Sequence, residues 1–179
     1  MTESLGWDTY EIFHPGTHGL LSELPRAEAR RAYQRLMTAR PERESQLHRL
    51  VEAHGVHFDR TDSGIQRLND WFRTRVQPDP TAPGRLLPEW YSVVNDISLY
   101  LGDTMIERDP QLRWDFCTAG RKNRSYQRHT IAGFTKVPNP RYCVDIDQVV
   151  AVYGHRIVAG EEVETDAFVR SLQAAHERA

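Results

Sequence analysis

LPEWYSVVNDISLYLGDTMIERDPQLRWDFC, residues 87–117, carries the longest apolar helical pattern in the chain and then changes period with no linker between. Trp90, Val94, Ile97, Leu101 and Met105 recur at steps of three and four, as one face of a 3.6-residue helix requires, and Val93, Tyr100 and Ile106 widen that stripe. A stripe so broad predicts a helix packed on more than one side. Pro88 suits a first helical position and Glu89 the positive end of the helix dipole, while Asp109-Pro110 stops the helix. Leu112, Trp114 and Phe116 then alternate with Arg113 and Asp115, the period of a half-buried strand. Gly102 inside the helix costs about 1 kcal/mol relative to alanine, which points to close approach by another backbone.

Outward from this stretch the chain reads as helices before it and short strands after it. A helix beginning at Ser22 and ended by Pro41, and a second from Pro41 to His54 capped by Gly55, predict a helical hairpin. A further helix over 64–76 buries Ile65, Leu68, Trp71 and Phe72, and the proline-rich segment 77–88 is an extended connection. Residues 130–135 form a strand antiparallel to 112–118 across the polar loop AGRKNRSYQRH, and 142–144 add a brief third. Asp145 followed by Gln148 opens a helix in the manner of a capping box, and a last helix runs from Thr165. Residues 1–21, rich in aromatics, Gly and Pro, form an arm lying on a single domain over 22–179. The fold class expected is α+β, predominantly helical, with a small antiparallel sheet packed on the central buried helix.

With 179 residues, 27% of them charged and a net charge of −2, the chain resembles an ordinary soluble domain and has no global attraction for nucleic acid or membrane. Two cysteines cannot build a disulfide framework, and Cys117 and Cys143 read as buried thiols rather than nucleophiles. No apolar run is long enough to span a bilayer and the N-terminus has no secretory pattern, so a cytosolic location is expected.

Catalytic and cofactor motifs are missing. His14, His18, His54 and His57 lack metal-ligand spacing, so no metal is expected, and no phosphate loop or serine elbow suggests a cofactor or a nucleophile. Asp145-x-Asp147 reads as helix capping rather than a cation site. The candidates left are Asp96 and Asp103 on the polar side of the central helix, with Asn95 beside them, and Arg113, Arg124 and Tyr126 around the hairpin. A pocket between helix and hairpin would use the arginines and the phenol to orient a small anionic ligand and a carboxylate to handle a proton. The loop cations at 121, 122, 124 and 128 around Tyr126 suggest contact with nucleic acid, although the mild overall acidity disfavours it.

The helix ending in Tyr100-Leu101-Gly102-Asp103, the Leu112-Arg113-Trp114 strand and the Ser125-Tyr126 turn before IAGF resemble a pattern shared by a group of small uncharacterised bacterial proteins. The likeness covers about the C-terminal half. It implies an accessory or immunity-like partner of a secreted toxin and carries no functional residue with it. The leading expectation is therefore a binding protein with a protein partner, self-association being left open, ahead of an enzyme or ligand binder and of a nucleic-acid binder.

Overall fold

The structure, a computed structural model, describes residues 7–179; the first six residues of the expected arm lie outside this range. Its helices are α1 (Arg26–Glu52), α2 (Asp62–Arg75), α3 (Pro88–Arg108), α4 (Ile146–Val158) and α5 (Ala167–Arg178), and its strands are β1 (Arg113–Phe116), β2 (His129–Ala132) and β3 (Cys143–Val144). The sheet is antiparallel in the order β1-β2-β3. This is the predominantly helical α+β architecture expected, with α3 at its centre. Along α3 the residues from Trp90 to Met105 are buried on nearly every side, because α4, α1 and α5 all pack against it.

The helical hairpin expected from Pro41 is not formed; α1 runs unbroken through that proline. A proline inside a helix leaves the carbonyl four residues earlier without its N–H partner. Here that carbonyl belongs to Met37, and Nε of the neighbouring Arg40 donates to it at 3.3 Å. On the far side, Ser45 Oγ donates to the Pro41 carbonyl at 3.0 Å. The helix ends as expected, with Gly55 in the left-handed region at φ 73° and Val56 N–H returning to the Val51 carbonyl. The cap of α2 is Thr61, whose hydroxyl accepts from Gly64 N–H at 3.1 Å, so the helix starts two residues ahead of the span expected. Asp145 caps α4 as read, accepting from Gln148 N–H at 3.0 Å.

The core gathers aromatics around Trp90, whose ring centroid lies 5.7 Å from those of Trp7, Trp71 and Phe72. Pairs at this spacing and tilt add to simple area burial. In the sheet, Trp114 faces Ile131 and Phe116 faces His129, so these four side chains share the inner face, while Arg113, Asp115, Thr130 and Ala132 share the outer one.

Gly102 is required by close approach, but the neighbour is a side chain rather than a backbone. A Cβ there would lie 2.3 Å from Cζ2 and 2.4 Å from Cη2 of Trp114. The indole cannot swing away cheaply, because its Nε1–H donates to Asp103 Oδ1 at 2.7 Å. Gly102→Ala is therefore expected to destabilise the fold by about 1–3 kcal/mol, overpacking outweighing the gain in helix propensity. Urea unfolding checks it, and a midpoint equal to or above the parent's would refute the packing argument.

Candidate functional site

Asp96, halfway along α3, is fully buried and accepts from three donors. Arg43 of α1 reaches it with Nε to Oδ1 at 2.8 Å and Nη2 to Oδ2 at 2.6 Å, and the Tyr10 hydroxyl donates to Oδ2. Arg43 Nη1 also donates to the Glu11 carbonyl at 2.6 Å. Burial raises the Asp96 carboxyl from its ordinary value, and the bonds from Arg43 and Tyr10 pull it back. Burial also raises the Tyr10 phenol far above its usual range, so it stays a donor. Ser92, one turn earlier, accepts from Phe13 N–H at 2.8 Å. These bonds fasten residues 10–13 of the arm across α1 and α3.

The fastened arm roofs a cleft of about 470 Å³. Its walls are Ile12, Phe13 and Pro15 of the arm, Ala32, Tyr33 and Leu36 of α1, Tyr91 and Val94 of α3, and Ala151 of α4. Polar groups enter from Asn95, from the end of the hairpin loop at Gln127, Arg128 and His129, and from Asp147. The loop end is held where it is by Gln127, whose Nε2 donates to the carbonyls of Leu21 at 2.6 Å and Leu24 at 2.9 Å. Gln127 itself sits at φ 63°, a left-handed conformation that is uncommon outside glycine.

Two residues that line the cleft carry a buried side-chain nitrogen without a hydrogen-bond partner within 3.5 Å, Asn95 at Nδ2 and His129 at Nε2, and the Asn95 amide lies near enough to Asp96 to help hold that carboxyl down. Burial holds the His129 imidazole below its ordinary pKa, with Asp147 pulling it upward less strongly, so the ring is neutral at pH 7. Arg128 is already engaged: its Nε donates to Asp145 Oδ2 at 2.7 Å and its Nη2 to Asp147 Oδ2. The Asp145-x-Asp147 pair therefore does more than cap α4, since it clamps the arginine at the loop end. With Glu89 also lining the cleft, one guanidinium faces three carboxylates.

The cleft does lie between the central helix and the hairpin, yet none of the five residues expected there lines it. Asp96 is enclosed behind Ser92 in the Arg43 cluster. Asp103 pairs with Arg40 at 2.7 Å and accepts from Trp114. Arg113 points to the outer face of the sheet, where it lines a separate polar cleft with Cys117 and Cys143. Arg124 is exposed and Tyr126 half-buried in the hairpin loop, outside the main cleft. The Asn95 side chain was within reach of sequence reading. His129 was not, because its inward direction depends on the register with Phe116. Among the described residues no group of three or more His, Cys, Asp or Glu side chains is arranged to hold a metal ion, and no helix is long and apolar enough to cross a membrane. No family model, curated protein or solved structure matches the chain.

Removing one partner of a buried ion pair leaves the other charge uncompensated. Arg43→Met is expected to cost about 3–5 kcal/mol, and adding Asp96→Leu to recover more than half of it. A double-mutant cycle by chemical denaturation checks this, and no recovery in the double variant would count against it. For His129, the folded pKa lies below the unfolded value, so the unfolded chain binds the extra proton as pH falls below about 6.5. Its destabilising contribution is absent above that pH and grows below it. Between pH 7 and pH 5 the parent should lose roughly 1–2 kcal/mol more stability than His129→Gln; equal losses would show that the imidazole titrates freely.

Proposed function

We propose that the protein binds a small, uncharged and mainly apolar molecule in the cleft beneath the arm. The observation that carries this reading is that two residues lining one largely apolar cavity, Asn95 and His129, each carry a buried side-chain nitrogen without a hydrogen-bond partner. A buried polar atom without a partner costs about 1–3 kcal/mol, which a ligand carrying a matching group would relieve on binding. The volume falls in the range of small-molecule sites, and an apolar lining with a few convergent polar groups is their usual composition. Asn95 would donate to a carbonyl or ether oxygen of the ligand. The neutral imidazole would pair with its hydroxyl or amide.

The charge balance favours an uncharged molecule over an anionic one. The charge of Arg128 is already countered by Asp145 and Asp147, and Glu89 adds a further carboxylate to the lining. A carboxylate or phosphate entering here would meet repulsion without a free cation to offset it. The reading as a partner of another protein has less support: among the described residues Leu20, Tyr91, Val149 and Val152 are the exposed large apolar side chains, and so few are ordinary on monomer surfaces.

Fluorescence titration with the neutral dye Nile red tests the proposal. The parent should bind it saturably, and Ala151→Trp, which fills the cleft from a half-buried position, should weaken binding at least tenfold without lowering the unfolding midpoint. Failure to bind, or binding indifferent to the tryptophan, would overturn it.

A further inference from the structure

The net charge of −2 hides a segregation of charge at one end of the molecule. Arg26, Arg30, Arg31 and Arg35 lie exposed on the first half of α1, Arg35 with one edge of its guanidinium donating to the Pro15 carbonyl and the other edge open, and Arg121, Lys122 and Arg124 lie exposed on the hairpin loop. The two elements are locked together: Arg30 stacks over Phe116 at 4.8 Å, Tyr33 packs on the same ring at 5.6 Å, and Gln127 ties the loop to the segment leading into α1. Other arginines of the chain, at 40, 43, 60, 108 and 128, are neutralised by carboxylates. Among the described residues, no carboxylate comes within ion-pair distance of any of these seven cations. Glu23 and Glu28 on the same stretch of chain and Asp115 beside Phe116 are the acidic residues near this end, so seven cations stand against three carboxylates and the end remains positive.

The spacing on α1 is informative. At about 100° per residue, Arg26 and Arg30 run along one edge of the exposed face and Arg31 and Arg35 along the other. Between these two rails lie Ala27, Gln34 and Thr38, all uncharged and exposed. The four guanidinium groups span about 14 Å of helix, and a strand of duplex DNA presents a phosphate about every 3.4 Å along its axis. Each rail spans about 6 Å, and the two are staggered end to end, so together they face roughly four phosphates. Guanidinium groups bind phosphate oxygens in a bidentate fork, and the surface offers neither a fully exposed ring for base stacking nor a groove-reading helix tip.

We infer that this end, formed by the first half of α1 and the hairpin loop, is a sequence-independent docking surface for the phosphate backbone of duplex DNA. The inference is independent of the cleft, since none of the seven cations lines it. It also extends the basic loop at 121–128 with a helix face that the loop alone does not include, while removing Arg128 from the contact set because two carboxylates hold it.

Fluorescence anisotropy with a labelled 20-base-pair duplex of arbitrary sequence tests it on the full chain. Four phosphate contacts should weaken binding about a hundredfold between 50 and 200 mM salt. Arg26→Glu with Arg30→Glu, and separately Arg121→Glu with Arg124→Glu, should each lower affinity at least tenfold and flatten that salt dependence. Arg85→Glu, in the connection before α3, should leave it unchanged. The loop variant lies outside the helices, so its effect is readable even if the helix variant were to unfold, and circular dichroism checks both. No binding at 50 mM salt, a salt-independent affinity, or binding indifferent to both variants would overturn the inference. So would competition by poly-glutamate as effective as by unlabelled DNA, which would make the partner an acidic protein.

Discussion

The contact on which the rest of the structure depends is the buried bidentate pair between Arg43 and Asp96, completed by the Tyr10 hydroxyl. A carboxylate in the middle of an apolar helix is costly unless every lone pair finds a donor. Satisfying it requires α1 to remain helical past Pro41, since Arg43 lies only two residues beyond. It also requires the arm to fold back until Tyr10 reaches the same oxygen. One polar residue in α3 thus constrains three segments that are far apart in sequence, and the pair specifies an arrangement more than it adds net stability.

The cleft follows from that arrangement. With residues 10–13 held down, the next turn of the arm crosses above Ala32, whose small side chain leaves room beneath it. The floor is set by Val94 and Asn95, and the far wall by the loop end that Gln127 pins to Leu21 and Leu24. The two faces of the hairpin then diverge in character. Its inner face turns Trp114, Phe116, His129 and Ile131 toward the helices, and its outer face carries the exposed Arg113 and Asp115, with Thr130 buried between its neighbours. Placing an arginine and an aspartate from opposite sides of this sheet in one pocket is geometrically impossible, which is why Arg113 and Asp96 never meet.

Much of the architecture was legible in the residue order. The width of the apolar stripe from Trp90 to Met105 already implied a helix with neighbours on several sides, and alternation from Leu112 to Phe116 marked a strand whose partner lay beyond a polar loop. Local rules failed at Pro41, where helix continuity rests on a side-chain bond from Arg40 and on the burial of Leu47, Leu50 and Val51 further along. They failed for the site as well. Asp96 and Asp103 stand out in sequence as charges on an apolar helix, but both are consumed by arginines of α1, at positions 43 and 40. His129 drew no notice because nothing in HTIAGF distinguishes a ring pointing into a cavity from one pointing into water.

Comparison of Asp96 with His129 separates structural from functional polarity. Both are buried, Asp96 on α3 and His129 on β2. Asp96 has all its hydrogen bonds inside the protein and nothing to offer a ligand, whereas His129 keeps a ring nitrogen without a partner in a residue at the wall of a cavity. An isolated unpaired donor is weak grounds for a site, as the indole N–H groups of Trp71 and Trp90 show, since each is enclosed by aromatic packing instead of lining this cleft. What sets His129 apart is that Asn95, a residue of a different element lining the same cleft, also carries an unpaired side-chain nitrogen. Two independent segments each bearing such a cost at one point is hard to account for by packing alone, and a bound molecule that hydrogen-bonds to both would offset it.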